Sequence, residues 1–129
     1  MGDGGFAMAI LVVEDEPHLR RSLARSLAAR GFAVSEAASC ETAVQAALAD
    51  RPDLLLLDVN LPDATGWDVL RELRARGATV PAVVMSAVPP SPARVREFGP
   101  LGVLHKPFPV DALLRIVRNA GPPGAATST

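Results

Sequence analysis

The feature that most restricts the fold of this chain is a set of short apolar runs, each ending in a polar residue. "LLLL" at 54–57 runs into Asp58, and "AVVM" at 82–85 runs into Ser86. Continuous apolar runs of this length are typical of parallel strands covered on both faces, because a sheet with one solvated face alternates apolar and polar residues. Such strands need helices on both sides, so the pattern favours an α/β domain.

Helical patterns separate these strands along the chain. Strands are predicted at 7–13, 33–37, 53–57, 80–86 and 102–106. Helices are predicted at 17–30, 39–50, 66–76, 93–98 and 110–119. The fourth helix is expected to be short or irregular, because "AVPPSPARVREFGP" carries four prolines. Strand and helix alternating in this way predict a doubly wound parallel sheet with right-handed crossovers.

Composition sets limits on size, partners and compartment. The 129 residues, 49% of them apolar, suit one domain, expected at 8–120 between disordered tails at 1–7 and 121–129. A net charge of -1 argues against binding to nucleic acid or to an anionic membrane. No apolar stretch approaches the roughly 18 residues needed to span a bilayer. Cys40 has no partner for an internal disulfide and is expected to be a structural residue, so the protein is expected to be cytoplasmic.

Polar residues follow four of the five strands. Because the carboxyl ends of parallel strands meet at one edge, where α/β sheets bind ligands, these side chains are expected to converge. Each has an ordinary alternative, since Asp15 or Glu16 could cap the helix that begins at Pro17, and a lone Ser or Lys is often solvated. Their coincidence at one edge nevertheless favours a site, whose members are Glu14, Asp15, Glu16, Asp58, Ser86 and Lys106.

The chemistry of these groups points to phosphoryl transfer. Clustered carboxylates raise one another's pKa unless they share a cation. Oxygen ligands without His or Cys favour Mg²⁺ over zinc or copper. A carboxylate can attack phosphorus and form an aspartyl phosphate, while a lysine and a hydroxyl stabilise the transferring group.

Four motifs in this order resemble the receiver domain of response regulators in two-component signalling. They are "ILVVEDE", "LLLLDVNLPDATG", "VVMSA" and "HKPF", and the resemblance covers about residues 8–120. It implies a flavodoxin-like sheet of five strands in the order 2-1-3-4-5 and a cis bond between Lys106 and Pro107. Because few residues follow about 120, a stand-alone receiver is expected.

The resemblance also implies a role for each site residue. Asp58 would be the phosphoacceptor, taking a phosphoryl group from a phosphohistidine on a histidine kinase or histidine phosphotransfer protein. Ser86 and Lys106 would contact the phosphoryl group. The Mg²⁺ ligands would be Asp15, Asp58, the backbone carbonyl of Asn60 and Glu14, the last often through water. Such a protein assists its own phosphorylation and dephosphorylation and is not a conventional enzyme.

One departure from the family and several other residues receive separate predictions. Val103 stands where receivers commonly carry an aromatic residue that moves inward on activation, so that switch is not expected here. Trp67 is expected to be a half-exposed packing residue, and His18 and His105 are expected to be surface residues. The arginines of the first helix are predicted to form a solvated face, with partner docking as the weaker alternative.

Two other functions are compatible with the same residues. A Mg²⁺-dependent aspartyl-phosphate phosphatase of the haloacid dehalogenase type also places an Asp after an apolar strand, but it needs a second Asp where Asn60 stands. A receiver fold used only as an interaction module would be indicated by loss of the acids or of the lysine, and all of them are present.

Overall fold

A computed structural model describes residues 7–120, so the predicted tails lie outside the described residues except for Ala7, which is exposed. The strands are β1 Ala9–Val13, β2 Ala33–Ala37, β3 Leu54–Asp58, β4 Ala82–Ser86 and β5 Gly102–His105. The helices are α1 Pro17–Ala28, α2 Cys40–Ala49, α3 Gly66–Ala75, α4 Pro92–Phe98 and α5 Val110–Ala120. All neighbouring strands are parallel, in the order β2-β1-β3-β4-β5, which confirms the predicted fold.

The register of the sheet places the ends of β1 and β3 side by side. Leu57 pairs with Val13 on one side and with Val84 on the other. Glu14, which follows Val13, therefore leaves the sheet at the same level as Asp58. The strand order switches at this pair, because β1 connects to β2 on one side while β3 connects to β4 on the other.

The central strand separates two apolar layers. Leu55 and Leu57 pack into the cluster that includes α2 and α3, whereas Leu54 and Leu56 pack into the cluster that includes α1 and α5. All four side chains are fully buried. Burying a leucine contributes on the order of 1.5–3 kcal/mol, so an uninterrupted apolar run is what a two-faced strand requires.

The helix starts are fixed by side-chain caps. Ser39 is the N-cap of α2, because its hydroxyl accepts a hydrogen bond from the N–H of Thr42. Of the two acids considered for α1, Glu16 is the cap, and it accepts from the N–H groups of His18 and Leu19. Within residues 7–120, no helix is long and apolar enough to cross a bilayer.

The fourth helix is short, as predicted, and it is fastened to α3 at its C-terminal end. Phe98 stacks on Trp67 with ring centroids 5.6 Å apart. The guanidinium of Arg74 lies 4.7 Å from the Phe98 centroid and donates to the carbonyls of Glu97 and Phe98. Gly99 then ends α4 in the left-handed conformation, at φ 56°.

The predicted exposure of two apolar side chains was wrong. Trp67 is buried, with 6% of its surface exposed, because the aromatic ring of Phe98 covers it. Leu48 follows Val44 by four residues, a spacing that predicts the buried face of α2, but it is 39% exposed because it borders an open groove between α2 and α3. His18 and His105 are exposed, and Cys40 is buried, as expected.

Candidate functional site: an acidic cleft at the switch point

Three carboxylates meet where β1 and β3 end. One oxygen each from Glu14, Asp15 and Asp58 lies within 4.8 Å of the others. Glu14 and Asp58 are only 1% and 4% exposed, whereas Asp15 is exposed to solvent. Two of the three carboxylates are thus buried, and the third is open to solvent.

Lys106 joins two of these acids from the end of β5. Its Nζ lies 2.6 Å from Glu14 Oε1 and 2.9 Å from Asp58 Oδ2. Burial alone would lower the pKa of Lys106, but the hydrogen bonds to both acids outweigh burial, and the pKa is raised. The ammonium group therefore stays charged and balances part of the negative charge.

Glu14 is held at both its backbone and its side chain. Its N–H donates to the Ala37 carbonyl at 3.0 Å, and its Oε2 accepts from the N–H of Glu16 at 3.0 Å. Burial raises the pKa of Glu14 and the charge of Asp58 adds to the rise, whereas hydrogen bonds from Lys106 and the Glu16 N–H oppose it. A cation shared among the acids would favour the ionised form.

Asp58 ends β3 with both of its carboxylate oxygens engaged. Oδ1 accepts from the Asn60 N–H at 3.2 Å, and Oδ2 accepts from Lys106. Directly behind it, Gly66 starts α3 so close to the strand that a Cβ there would collide with the carbonyl oxygen of Asp58. The glycine lets the helix pack against the backbone of the candidate phosphoacceptor.

Ser86 ends β4 and is 4% exposed. Its hydroxyl donates to the Val88 carbonyl and accepts from the Val88 N–H at 3.2 Å. Its strand partner is His105, the residue before Lys106. The hydroxyl is therefore at the predicted edge but is engaged by the loop between β4 and α4.

The residues present fit a magnesium ion. The donors are carboxylates, with no His or Cys in the cluster, and hard oxygen ligands are those that Mg²⁺ prefers. They lie in an open cleft of about 410 Å³. The groups that would hold the ion are Glu14, Asp15, Asp58 and the backbone carbonyl of Asn60. When bound, Mg²⁺ neutralises negative charge on phosphoryl oxygens.

The structure brings most of the predicted residues to one cleft. It is lined by Glu14, Asp15, Glu16, Asp58, Asn60, Leu61, Pro62, Ala87 and Lys106. Ser86 does not line the cleft but lies beside it, next to Ala87. The bond between Lys106 and Pro107 is cis, as predicted.

Sequence reasoning missed two residues that support this edge. Arg20 was assigned to a solvated face, yet its side chain is only 15% exposed and binds the Glu14 carbonyl. Its position three and seven residues before Leu23 and Leu27 puts it on the buried face of α1, which was the available signal. Asp63, which binds the N-terminus of α2, has no comparable signal in the sequence.

The sequence matches a known family over nearly all of the described residues. The family model of the response regulator receiver domain matches residues 10–118. Response regulator MprA of Mycobacterium avium (strain 104) is 39% identical over 113 residues, which cover 86% of this chain and 50% of MprA. Probable transcriptional regulatory protein SilR of Salmonella typhimurium is 37% identical with the same coverage. The chain spans about half the length of the curated relatives it matches.

Solved structures agree with this match. CheY4, a chemotaxis protein of Vibrio cholerae, superposes with a TM-score of 0.80 at 26% identity, covering 88% of this chain and 98% of CheY4. Response regulator TrrA of Thermotoga maritima, in complex with Mg(2+)-BeF, gives a TM-score of 0.77 at 26% identity, covering 87% and 97%. With its acidic cleft at the switch point of a 2-1-3-4-5 sheet, the chain belongs to the response regulator receiver domain family of two-component systems.

Proposed function

We propose that Asp58 accepts a phosphoryl group from a phosphohistidine on a histidine kinase or histidine phosphotransfer protein, with Mg²⁺ bound by the acidic cluster. The observation that carries this proposal is the position of Asp58. Its carboxylate is buried at the end of the central strand, within reach of Lys106, and faces an open cleft with two more acids. Burial fixes the nucleophile while the open side admits a phosphoryl donor.

Asp58, Lys106 and Ser86 each have a distinct part in the transfer. An Asp58 oxygen forms the new bond to phosphorus as the bond to the histidine nitrogen breaks, and the imidazole leaves. The Lys106 ammonium, already 2.9 Å from Asp58, offsets the charge of the phosphoryl oxygens. The Ser86 hydroxyl turns from Val88 to donate to one of those oxygens.

The signal leaves the site through the loop after β4. Phosphorylation replaces the single negative charge of the Asp58 carboxylate with up to about two on the phosphoryl group near neutral pH. When the Ser86 hydroxyl turns toward them, it gives up its hydrogen bonds to Val88, which frees the loop that leads into α4. The rearranged surface then signals by contact with another protein, or the phosphoryl group passes on in a phosphorelay.

Intact mass measurement after incubation with Mg²⁺ and acetyl phosphate tests the proposal. Wild type should gain the mass of one phosphoryl group, and Asp58→Asn should gain none. Asp50→Asn is the matched control, because Asp50 is an exposed acid at the end of α2, away from the cleft. A wild type that gains no mass, or an Asp58→Asn variant that gains as much as wild type, contradicts the proposal.

The other functions predict different results. Steady turnover of a simple phosphomonoester would support an aspartyl-phosphate phosphatase in its place. If a partner is found, equal affinity for wild type and for Asp58→Ala, with or without a beryllofluoride mimic, would indicate an interaction module that does not use phosphorylation.

A further inference from the structure

The side chain of Arg20 lies against the loop that carries the first two acids of the site. Its Nη1 donates to the backbone carbonyl of Glu14 at 3.0 Å, and its Nε donates to Glu36 Oε1 at 3.0 Å. The side chain is 15% exposed, whereas that of the neighbouring Arg21 is 59% exposed and lies 3.9 Å from the same Glu36 oxygen. Arg20 therefore differs in its contacts from a solvated surface arginine.

Glu36 fixes the direction of this guanidinium. It belongs to β2 and pairs with Val12, so it stands beside the last residues of β1. A guanidinium is rigid and planar. When one of its N–H groups is bound to a carboxylate, the directions of its remaining N–H groups are therefore restricted. In this geometry Nη1 points at the Glu14 carbonyl.

The Glu14 carbonyl belongs to the peptide that joins Glu14 to Asp15. The N–H of Glu14 is bound to the Ala37 carbonyl, so Arg20 supplies the second fixed point of this segment. The two hydrogen bonds restrain the peptide planes on either side of the Glu14 Cα, and hence the direction in which Asp15 leaves the chain. Asp15 is exposed, so this restraint on its backbone limits the positions that its carboxylate can reach.

We propose that Arg20, oriented by Glu36, is a positioning residue for the metal-binding carboxylates of Glu14 and Asp15. The inference rests on the proposed function, because that function includes Mg²⁺ in the acidic cluster. Groups that orient metal ligands without touching the ion typically change metal affinity by about 10- to 100-fold when they are lost. The same range is expected for Arg20.

Titration of the 129-residue protein with Mg²⁺ by isothermal calorimetry tests the inference without any phosphorylation step. Arg20→Gln should bind Mg²⁺ at least about tenfold more weakly than wild type. Glu36→Gln should show a smaller loss, because it keeps an acceptor but removes the charge. Arg20→Lys should recover part of the Mg²⁺ affinity lost in Arg20→Gln, since the lysine amine can bind the Glu14 carbonyl although it lacks the planar guanidinium. Arg21→Gln, the same change one residue along α1, should bind like wild type.

A core variant separates positioning from general destabilisation. Val117→Ala removes buried volume from α5, far along the chain from the loop at Glu14, and thermal unfolding without Mg²⁺ ranks the stability of every variant. Weaker Mg²⁺ binding in Val117→Ala at a matched loss of stability would overturn the inference. If Arg20→Gln does not fold, the test rests on Glu36→Gln. A Mg²⁺ affinity equal to that of wild type in this variant would then overturn the inference.

The outcomes also distinguish this inference from the proposed function. A wild type that binds no Mg²⁺ removes the metal site of the proposed function, and the inference with it. A wild type that binds Mg²⁺ together with an equally tight Arg20→Gln variant overturns only the role of Arg20.

Discussion

Among the glycines within residues 7–120, Gly66 is under the tightest steric constraint, because it starts α3 directly against Asp58. A Cβ at this position would collide with the Asp58 carbonyl oxygen and would stand 3.0 Å from Leu57 Cγ. The Gly66 N–H also donates to the Val59 carbonyl at 2.8 Å, so the helix start cannot easily move away. Any side chain here must displace either α3 or the end of β3.

We expect Gly66→Ala to reduce both stability and phosphorylation. Overpacking of this kind costs about 1–3 kcal/mol of the free energy of unfolding, and the displaced strand end moves the Asp58 carboxylate away from Lys106. Gly77→Ala is the control, because Gly77 has open space around it and only the backbone strain of φ 78°. That strain costs about 1–2 kcal/mol and should leave phosphorylation unchanged. Urea denaturation and intact mass measure the two effects, and a wild-type phosphorylation rate in Gly66→Ala would contradict the argument.

At the scale of elements, Asp63 ties the loop after β3 to the start of α2. Its carboxylate oxygens accept from the N–H groups of Cys40 and Glu41 at 2.9 and 3.1 Å. The first N–H groups of a helix have no partner within it, and a carboxylate there also interacts favourably with the helix dipole. Asp63 therefore stabilises α2 and restrains the loop that contains Asn60.

The contribution of Asp63 to stability should depend on pH. Hydrogen bonds from the Cys40 and Glu41 N–H groups hold the pKa of Asp63 below its ordinary value of 3.8 in the folded protein. The stabilisation is therefore fully present above the ordinary pKa and is lost as the pH falls through the lower folded-state value. Wild type should be more stable than Asp63→Asn near neutral pH, and the difference should shrink below pH 3.8.

Chemical denaturation across this pH range measures the difference. Asp111→Asn is the matched control, since Asp111 is an exposed acid in the first turn of another helix, α5. A difference between wild type and Asp63→Asn that does not change with pH would show that the carboxylate acts through packing and not through its charge.

Local signals predicted the elements well, and they failed where exposure depends on contacts between elements. Apolar runs, caps and prolines placed all ten elements to within a few residues, because these signals act along the chain itself. Trp67 was misjudged because its cover is Phe98, which is distant in sequence. The exposure of Leu48 was misjudged because helical periodicity does not reveal how far along α2 the contact with α3 extends.

At the scale of the whole molecule, the sheet divides the core into two layers that share only the backbone. Val13 packs with the α2 and α3 layer, whereas Val12 packs with the α1 and α5 layer, and both are fully buried. The same division explains why the site could be predicted. Parallel strands deliver their C-terminal residues to one edge. The partners of Asp63, in contrast, lie 22 and 23 residues away and leave no periodic trace.

A double-mutant cycle tests whether the layers are independent. Val12→Ala and Val13→Ala should each lower the free energy of unfolding by about 2–3 kcal/mol through lost burial and a residual cavity. Because their side chains contact different layers, the double variant should lose the sum to within about 0.5 kcal/mol. Urea denaturation gives all three values, and a larger coupling would mean that the sheet transmits packing changes from one face to the other.

The aromatic stack between α3 and α4 contains an intrinsic fluorophore, Trp67. Trp67 is the only tryptophan of the chain, and its indole lies between the helix that starts behind Asp58 and the helix that follows the Ser86 loop. Indole emission responds to its surroundings, so we expect it to change if α4 moves and carries Phe98 away from Trp67. Intrinsic fluorescence therefore reports in real time, without any label, whether events at the cleft reach α4.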